Sequence, residues 1–169
     1  MDYRIVEKPG FSVIGASRKI TPQYGGFSEE IGRFWNEYMP SAAYQKLAVM
    51  TLEQRELVTG GHILGLFLPN ENNSWDPVVM VIGIEKSPNM DAAGFEVFHV
   101  PAATWAVFEI QPYSTQKHQE ITRRVWSEWF PSTGYEHDLK PEIEAYFPEG
   151  IGKPPYKAEA WYPVVKKIS

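Results

Sequence analysis

The segment Tyr156-Lys157-Ala158-Glu159-Ala160-Trp161-Tyr162-Pro163-Val164-Val165 has the composition of a β-strand, rich in aromatic, valine and small residues. Side chains alternate along a strand, so Lys157, Glu159 and Trp161 share one face and Ala158, Ala160 and Tyr162 the other. A carboxylate two residues from an indole is the odd feature. One reading is an edge strand, with Glu159 in water and Trp161 lying over the surface. The other is an interior strand, in which Glu159 is buried and needs a partner.

The sequence upstream bears on that choice. The chain has 169 residues, 43% hydrophobic and 22% charged, as expected of one folded domain or two small halves sharing a core. Aromatic residues reach 14%, an excess that supplies flat faces for cores and for ligand pockets. A net charge of −5 argues against nucleic-acid binding, and the pair Lys166-Lys167 is too small to form a basic face. Without cysteine there is neither disulfide nor thiol chemistry. No stretch approaches the ~20 apolar residues of a membrane span, and the N-terminus lacks a signal-like apolar run. These features point to a cytoplasmic protein that contacts neither membrane nor nucleic acid.

Strands are expected over residues 3–8, 11–20, 62–68, 77–86, 95–100 and 103–110, with Gly15 marking a close approach of backbones. Residues 21–26 read as a loop. Phe27, Ile31, Phe34 and Tyr38 form an apolar stripe at helical spacing, widened by Trp35 and Met39 and stopped by Pro40. A short helix is expected around residues 44–48. A second long helix opens near Ser114 and carries the stripe Ile121, Val125 and Trp129, with Trp126 and Phe130 beside it, up to Pro131.

The two halves repeat. The first helix ends Trp35-x-Glu37-Tyr38-Met39-Pro40 and the second Trp126-x-Glu128-Trp129-Phe130-Pro131, and two strands follow each. The order strand, helix, strand, strand therefore occurs twice, with halves of about 1–90 and 91–169. Two similar modules packed as a pseudo-two-fold pair leave a cleft at their junction, a favoured place for ligands. In that arrangement the final strand is interior. A buried Glu159 then requires Arg123 or Arg124 as an ion-pair partner, or a bound cation. Aromatic faces with one carboxylate suit an organic cation.

Pro101-Ala102-Ala103-Thr104-Trp105-Ala106-Val107-Phe108, Trp126-x-x-Trp129-Phe130-Pro131 with Tyr135-Glu136, and Ala158-Glu159-Ala160-Trp161-Tyr162-Pro163-Val164 resemble, in order, motifs of the GyrI-like or AraC-type effector-binding family. The resemblance implies an α+β fold in which duplicated strand–helix–strand–strand modules form a curved antiparallel sheet. It also implies two main helices and a central ligand cleft, with Glu159 facing the ligand. No helix-turn-helix module precedes Tyr3, so the expected match is a stand-alone member. The family's usual Ile after the Glu is Ala160 here, which leaves a roomier site.

The ligand-binding candidates are Glu159, Trp126, Trp129, Phe130, Trp161, Tyr146, Trp105, Trp35, Tyr38 and Met39. Several of these helix aromatics equally suit a core, and Trp105 and Phe108 lie on opposite faces of their strand. Tyr162 ranks lower because it points away from Glu159, and Trp75 reads as a lid or a packed loop residue. His62, His99, His118 and His137 lack zinc-type spacing and read as surface or strand residues, with Glu136, His137 and Asp138 a solvated turn. No metal site, phosphate loop or seryl motif is present, and no cofactor is called for. The leading reading is a binder of hydrophobic, planar or cationic small molecules, acting in sensing, sequestration or transcription-linked drug response. A regulator protein and a second copy of the chain are both open as partners. The alternative implied by the family is a hydrolase of strained, cyclopropanoid-type compounds, with Glu159 as acid or base and Tyr146 orienting the ligand. A third is a protein-interaction module whose cleft takes a partner's side chain.

Overall fold

A computed structural model describes residues 1–21 and 27–168, so most of the loop expected over 21–26 lies outside the described residues. The strands are β1 (Tyr3–Lys8), β2 (Phe11–Ile20), β3 (Ile63–Leu68), β4 (Val78–Lys86), β5 (Glu96–Val100), β6 (Ala103–Ile110), β7 (Tyr135–His137), β8 (Glu142–Pro148) and β9 (Pro155–Lys166). The helices are α1 (Phe27–Tyr38), α2 (Ala42–Met50) and α3 (Thr115–Arg124).

Eight strands lie in the order β1-β6-β9-β8-β3-β4-β2-β5, all antiparallel, and β7 pairs with β9. The order reads the same way from both ends: β6-β9-β8 from one module meets β3-β4-β2 from the other at the central β3–β8 seam. Each module lends its first strand to its neighbour. β1 precedes β2 yet pairs with β6, and β5 precedes β6 yet pairs with β2. Pro9-Gly10 and Pro101-Ala102 make these strands turn away from their sequence neighbours. As expected for a final strand in such a pair, β9 is interior, flanked by β6 and β8.

The sheet buries both faces. One face packs under the helices: Ile20, Val78, Met80 and Ile82 meet Phe34 of α1, and Phe108, Ile110, Ala158 and Tyr162 meet Ile121, Val125 and Trp129. The other face curls on itself. There Val13, Leu66 and Val81 from one module share a cluster with Trp105, Val107 and Trp161 from the other.

Caps set the helices on that frame. Ser41 Oγ accepts from Tyr44 N at 3.1 Å and starts α2, and Ser114 Oγ accepts from Lys117 N at 3.0 Å and starts α3. Beyond Arg124 the helix widens into a π-turn over Val125–Trp129. The extra residue in that turn separates neighbouring aromatics: Trp129 and Phe130 go inward and Trp126 is left 47% exposed. The segment around His137, expected to be a solvated turn, is instead strand β7, held against Val164–Lys166 by the outer edge of β9.

Candidate functional site

A cleft of about 1430 Å³ lies over the β3–β8 seam, between α1 and α2 on one side and α3 on the other. That is at or above the ~300–1,000 Å³ usual for small-molecule sites. Residues 148–155, between β8 and β9, line its rim.

The alternation of β8 decides the floor. Ile143 and Ala145 go into the core on the helix-free face, so Glu142, Glu144 and Tyr146 face the cleft. Glu144 stands opposite Gly65 in the β3–β8 register. A Cβ at Gly65 would lie 3.1 Å from Glu144 Oε1 and 3.7 Å from Trp35 Cζ2, so this glycine lets carboxylate and indole meet over the sheet. Around Glu144 the rings form a chain. Trp35 packs edge-on to Tyr146 at 5.3 Å between centroids, Tyr146 meets Tyr113 at 5.7 Å, and Tyr113 meets His118 at 6.0 Å. Further along, Trp126 stacks on His137 at 5.5 Å and stands edge-on to Tyr162 at 6.2 Å.

Each floor carboxylate has a histidine. His118 Nε2 is 2.6 Å from Glu144 Oε2, and His137 Nε2 is 3.0 Å from Glu142 Oε2. Burial alone would pull the His118 pKa down, but the charge and hydrogen bond of Glu144 outweigh it and raise it above the ordinary imidazole value. Burial first, then the charge of Glu144 and the neighbouring Tyr113, push Tyr146 well above the usual phenol range, so it stands as a neutral hydroxyl. Tyr113 is raised by burial and by Glu144, and Tyr162 is raised chiefly by burial.

Of the residues proposed from sequence, Trp35, Met39, Trp126 and Tyr146 line this cleft together. Trp161 borders it along β9, but its indole points to the opposite face. Tyr38 lies behind, against Phe34 and Tyr44. Trp129 and Phe130 pack in the core beside Phe108 and Tyr162, and Trp105 packs against Trp161 on the far face. Trp75 packs edge-on to His137 at the β7 end.

Glu159 is buried on the helix-free face, away from the cleft. Its Oε2 accepts from Arg4 Nη1 at 3.1 Å and lies 3.8 Å from Lys157 Nζ, and its Oε1 accepts from Trp161 Nε1 at 3.2 Å. The expected shared face of Lys157, Glu159 and Trp161 is present, and so is the need for a partner. The partners are Arg4 and Lys157; Arg124 pairs with Glu128 instead. With two cations already on it, Glu159 has no uncompensated charge to offer a ligand. Nor can it act with Tyr146 on one substrate: in the β8–β9 register Glu159 faces Ala145, and Tyr146 lies beside Ala158 on the other side of the sheet. The carboxylates that do face the cleft, Glu142 and Glu144, were readable as the period-two pattern Glu142-x-Glu144-x-Tyr146. His118 and Tyr113 gave no such sign, since only the tertiary fold brings them to β8.

The family model of integron-associated effector-binding proteins matches residues 4–164. The chain belongs to this family. The effector-binding identity expected from the closing motifs is therefore met. No curated protein matches the chain. Among solved structures, SAV2435 bound to tetraphenylphosphonium superposes with a TM-score of 0.73 at 19% identity, over 98% of this chain and 94% of that one. An integron cassette protein from the mobile metagenome of Vibrio cholerae gives 0.62 at 16% identity, over 96% and 95%. EcmrR, in a complex with DNA, gives 0.56 at 14% identity, over 99% of this chain and 58% of EcmrR. At these identities the likeness is one of fold. No helix among the described residues is long and apolar enough to cross a membrane.

Trp126 offers a first check on the cleft. Because its ring is half exposed, Trp126→Ala is expected to leave thermal stability close to wild type. It should weaken an aromatic cation by about tenfold, the loss of one ring face worth ~1–1.5 kcal/mol. Parallel melting and ligand titration read the two effects separately.

Proposed function

We propose that the protein binds a lipophilic organic cation in the cleft between α1 and α3 and acts as a cytoplasmic sensor or sequestering protein for such compounds. The observation that carries this reading is a carboxylate, Glu144, on the floor of a large cleft and surrounded by the rings of Trp35, Tyr146, Tyr113 and His118. Ring faces attract a cation and the carboxylate compensates its charge, while the open volume tolerates bulky substituents. Membership of an effector-binding family supports it, as does the tetraphenylphosphonium held by a protein of the same fold. Tyr146, held neutral, suits a hydrogen-bonding wall better than a proton carrier. A regulator that reads out the occupied state would complete a transcription-linked response.

The test uses the protein's own tryptophans. Titration with tetraphenylphosphonium is expected to quench fluorescence saturably, in roughly the micromolar range ordinary for such sites. Triphenylphosphine oxide, similar in shape and uncharged, should bind more weakly. Flat titrations with both compounds would sink the reading.

A further inference from the structure

The two carboxylate–histidine pairs on the cleft floor differ in a way that matters for charge. His137 is held in one tautomer: its Nδ1 accepts the backbone N–H of Leu139 at 2.9 Å, so Nε2 carries the hydrogen that goes to Glu142. That imidazole has an acceptor role to fill. His118 has no such tether among the described residues. Its one polar side-chain contact among them is the ion pair with Glu144 at 2.6 Å. It sits in the first turn of α3, where the helix macrodipole disfavours positive charge. Glu144 is therefore what holds a proton on it.

We infer that His118 is the resident counter-ion of Glu144 and is exchanged for the ligand, so that each organic cation entering the cleft drives one proton off the imidazole. The inference rests on the binding reading above and adds to it a rule for which charge state the site accepts. With His118 protonated, the pair is neutral and the cleft is an aromatic pocket suited to uncharged compounds. With His118 neutral, Glu144 is uncompensated and the same pocket favours a cation. The sign follows. The pKa of His118 is raised in the free protein and must fall when a cation lies against Glu144, so cation affinity increases with pH until His118 is already deprotonated, then levels off.

Other charged and titratable groups face this pair. Tyr113 lies on the His118 side and Tyr146 beside Glu144 on β8, both raised and uncharged throughout the window. Glu142 with His137, Tyr44, Tyr162, His62, Arg123, Glu149 and Lys153 lie further along the cleft. Of these, His62 and His137 also carry imidazoles, so both are replaced as controls.

The full chain is titrated with tetraphenylphosphonium, which has no titratable proton, and with triphenylphosphine oxide, from about pH 5.5 to 9, around and above the ordinary imidazole value of ~6.5. Wild-type affinity for the cation is expected to rise by up to about tenfold per pH unit and then plateau. The neutral compound should show no such rise. Calorimetry in buffers of different ionisation heat should count about one proton released per cation on the rising limb and none on the plateau. His118→Gln keeps a donor for Glu144 but cannot titrate, and is expected to bind the cation equally at every pH. His62→Gln and His137→Gln should keep the slope. A wild-type cation affinity independent of pH, or binding without proton release, overturns the inference while leaving the binding reading intact; neither measurement depends on a variant folding. A slope that survives His118→Gln also overturns it. No binding of tetraphenylphosphonium at any pH removes both.

Discussion

Glu144→Gln is expected to weaken tetraphenylphosphonium by about 30-fold above the His118 transition, and triphenylphosphine oxide by less than about twofold. Two unit charges ~5 Å apart at an effective dielectric of ~20 attract by about 3 kcal/mol, and partial desolvation takes back about a third of it. The ~2 kcal/mol that remains corresponds to about 30-fold in affinity. The amide keeps the shape of the side chain, so the cleft geometry and the neutral ligand should be spared. Glu159→Gln is the matched control. Its carboxylate is more deeply buried and also beside an indole, yet it lies across the sheet and already has Arg4 and Lys157. Tetraphenylphosphonium should not detect that change. Parallel titrations of the two variants decide which carboxylate the ligand meets: equal losses in both, or a loss only in Glu159→Gln, would show that the cation does not sit on the β3–β8 seam.

The contrast between those two glutamates shows where sequence reading stops. Glu159 is buried, interior and in need of a cation, as the strand pattern and the module repeat together implied. What they could not supply was the partner. Arg4 lies 155 residues away, on a strand that pairs with the other module's β6 rather than with its own neighbour β2. Only that exchange of edge strands sets a guanidinium over the face of β9. The period-two run Glu142-x-Glu144-x-Tyr146 was legible as one face of a strand, but nothing local says which face of the sheet the helices will cover. Facing is decided by packing: Ile143 and Ala145 fit the closed cluster with Leu64 and Trp161, and the glutamates are left beneath the helices.

The strands themselves were legible because proline, glycine and polar clusters bound nearly every one, as at Pro9-Gly10 and Pro101. β7 was missed for a physical reason. Three residues of mixed polarity have no periodicity of their own and become a strand only because the end of β9 presents an open edge. The aromatics of the second helix were ambiguous because regular 3.6-residue spacing puts Trp126, Trp129 and Phe130 on neighbouring faces. The π-turn resolves them by turning Trp126 outward. No residue in that run signals a π-turn in advance.

Gly83→Ala is expected to cost about 3 kcal/mol or more and to lower the melting temperature by roughly 6–12 °C. Gly83 and Gly15 face each other in the β2–β4 register, where the sequence pointed to a close approach at Gly15. A Cβ on Gly83 would stand 2.2 Å from Ile14 O and 2.9 Å from Ile14 C, and one on Gly15 would stand 2.1 Å from Ile82 O. These are backbone atoms, so no rotamer change relieves the clash. The strands must part, in the middle of a ladder that runs from Ser12 opposite Lys86 to Ile20 opposite Val78. Parting them loosens at least one buried hydrogen bond and shifts Ile14, Ile82 and Ile84, all fully buried. Gly32→Ala on α1 is the counter-case. Nothing lies within 4 Å of a Cβ there, and replacing a helical glycine should gain about 0.5–1 kcal/mol. If Gly83→Ala melted with the wild type, the two strands would be farther apart than this register allows, and α1 and α2, which pack on β4, would have no fixed seat from which to hold the wall of the cleft.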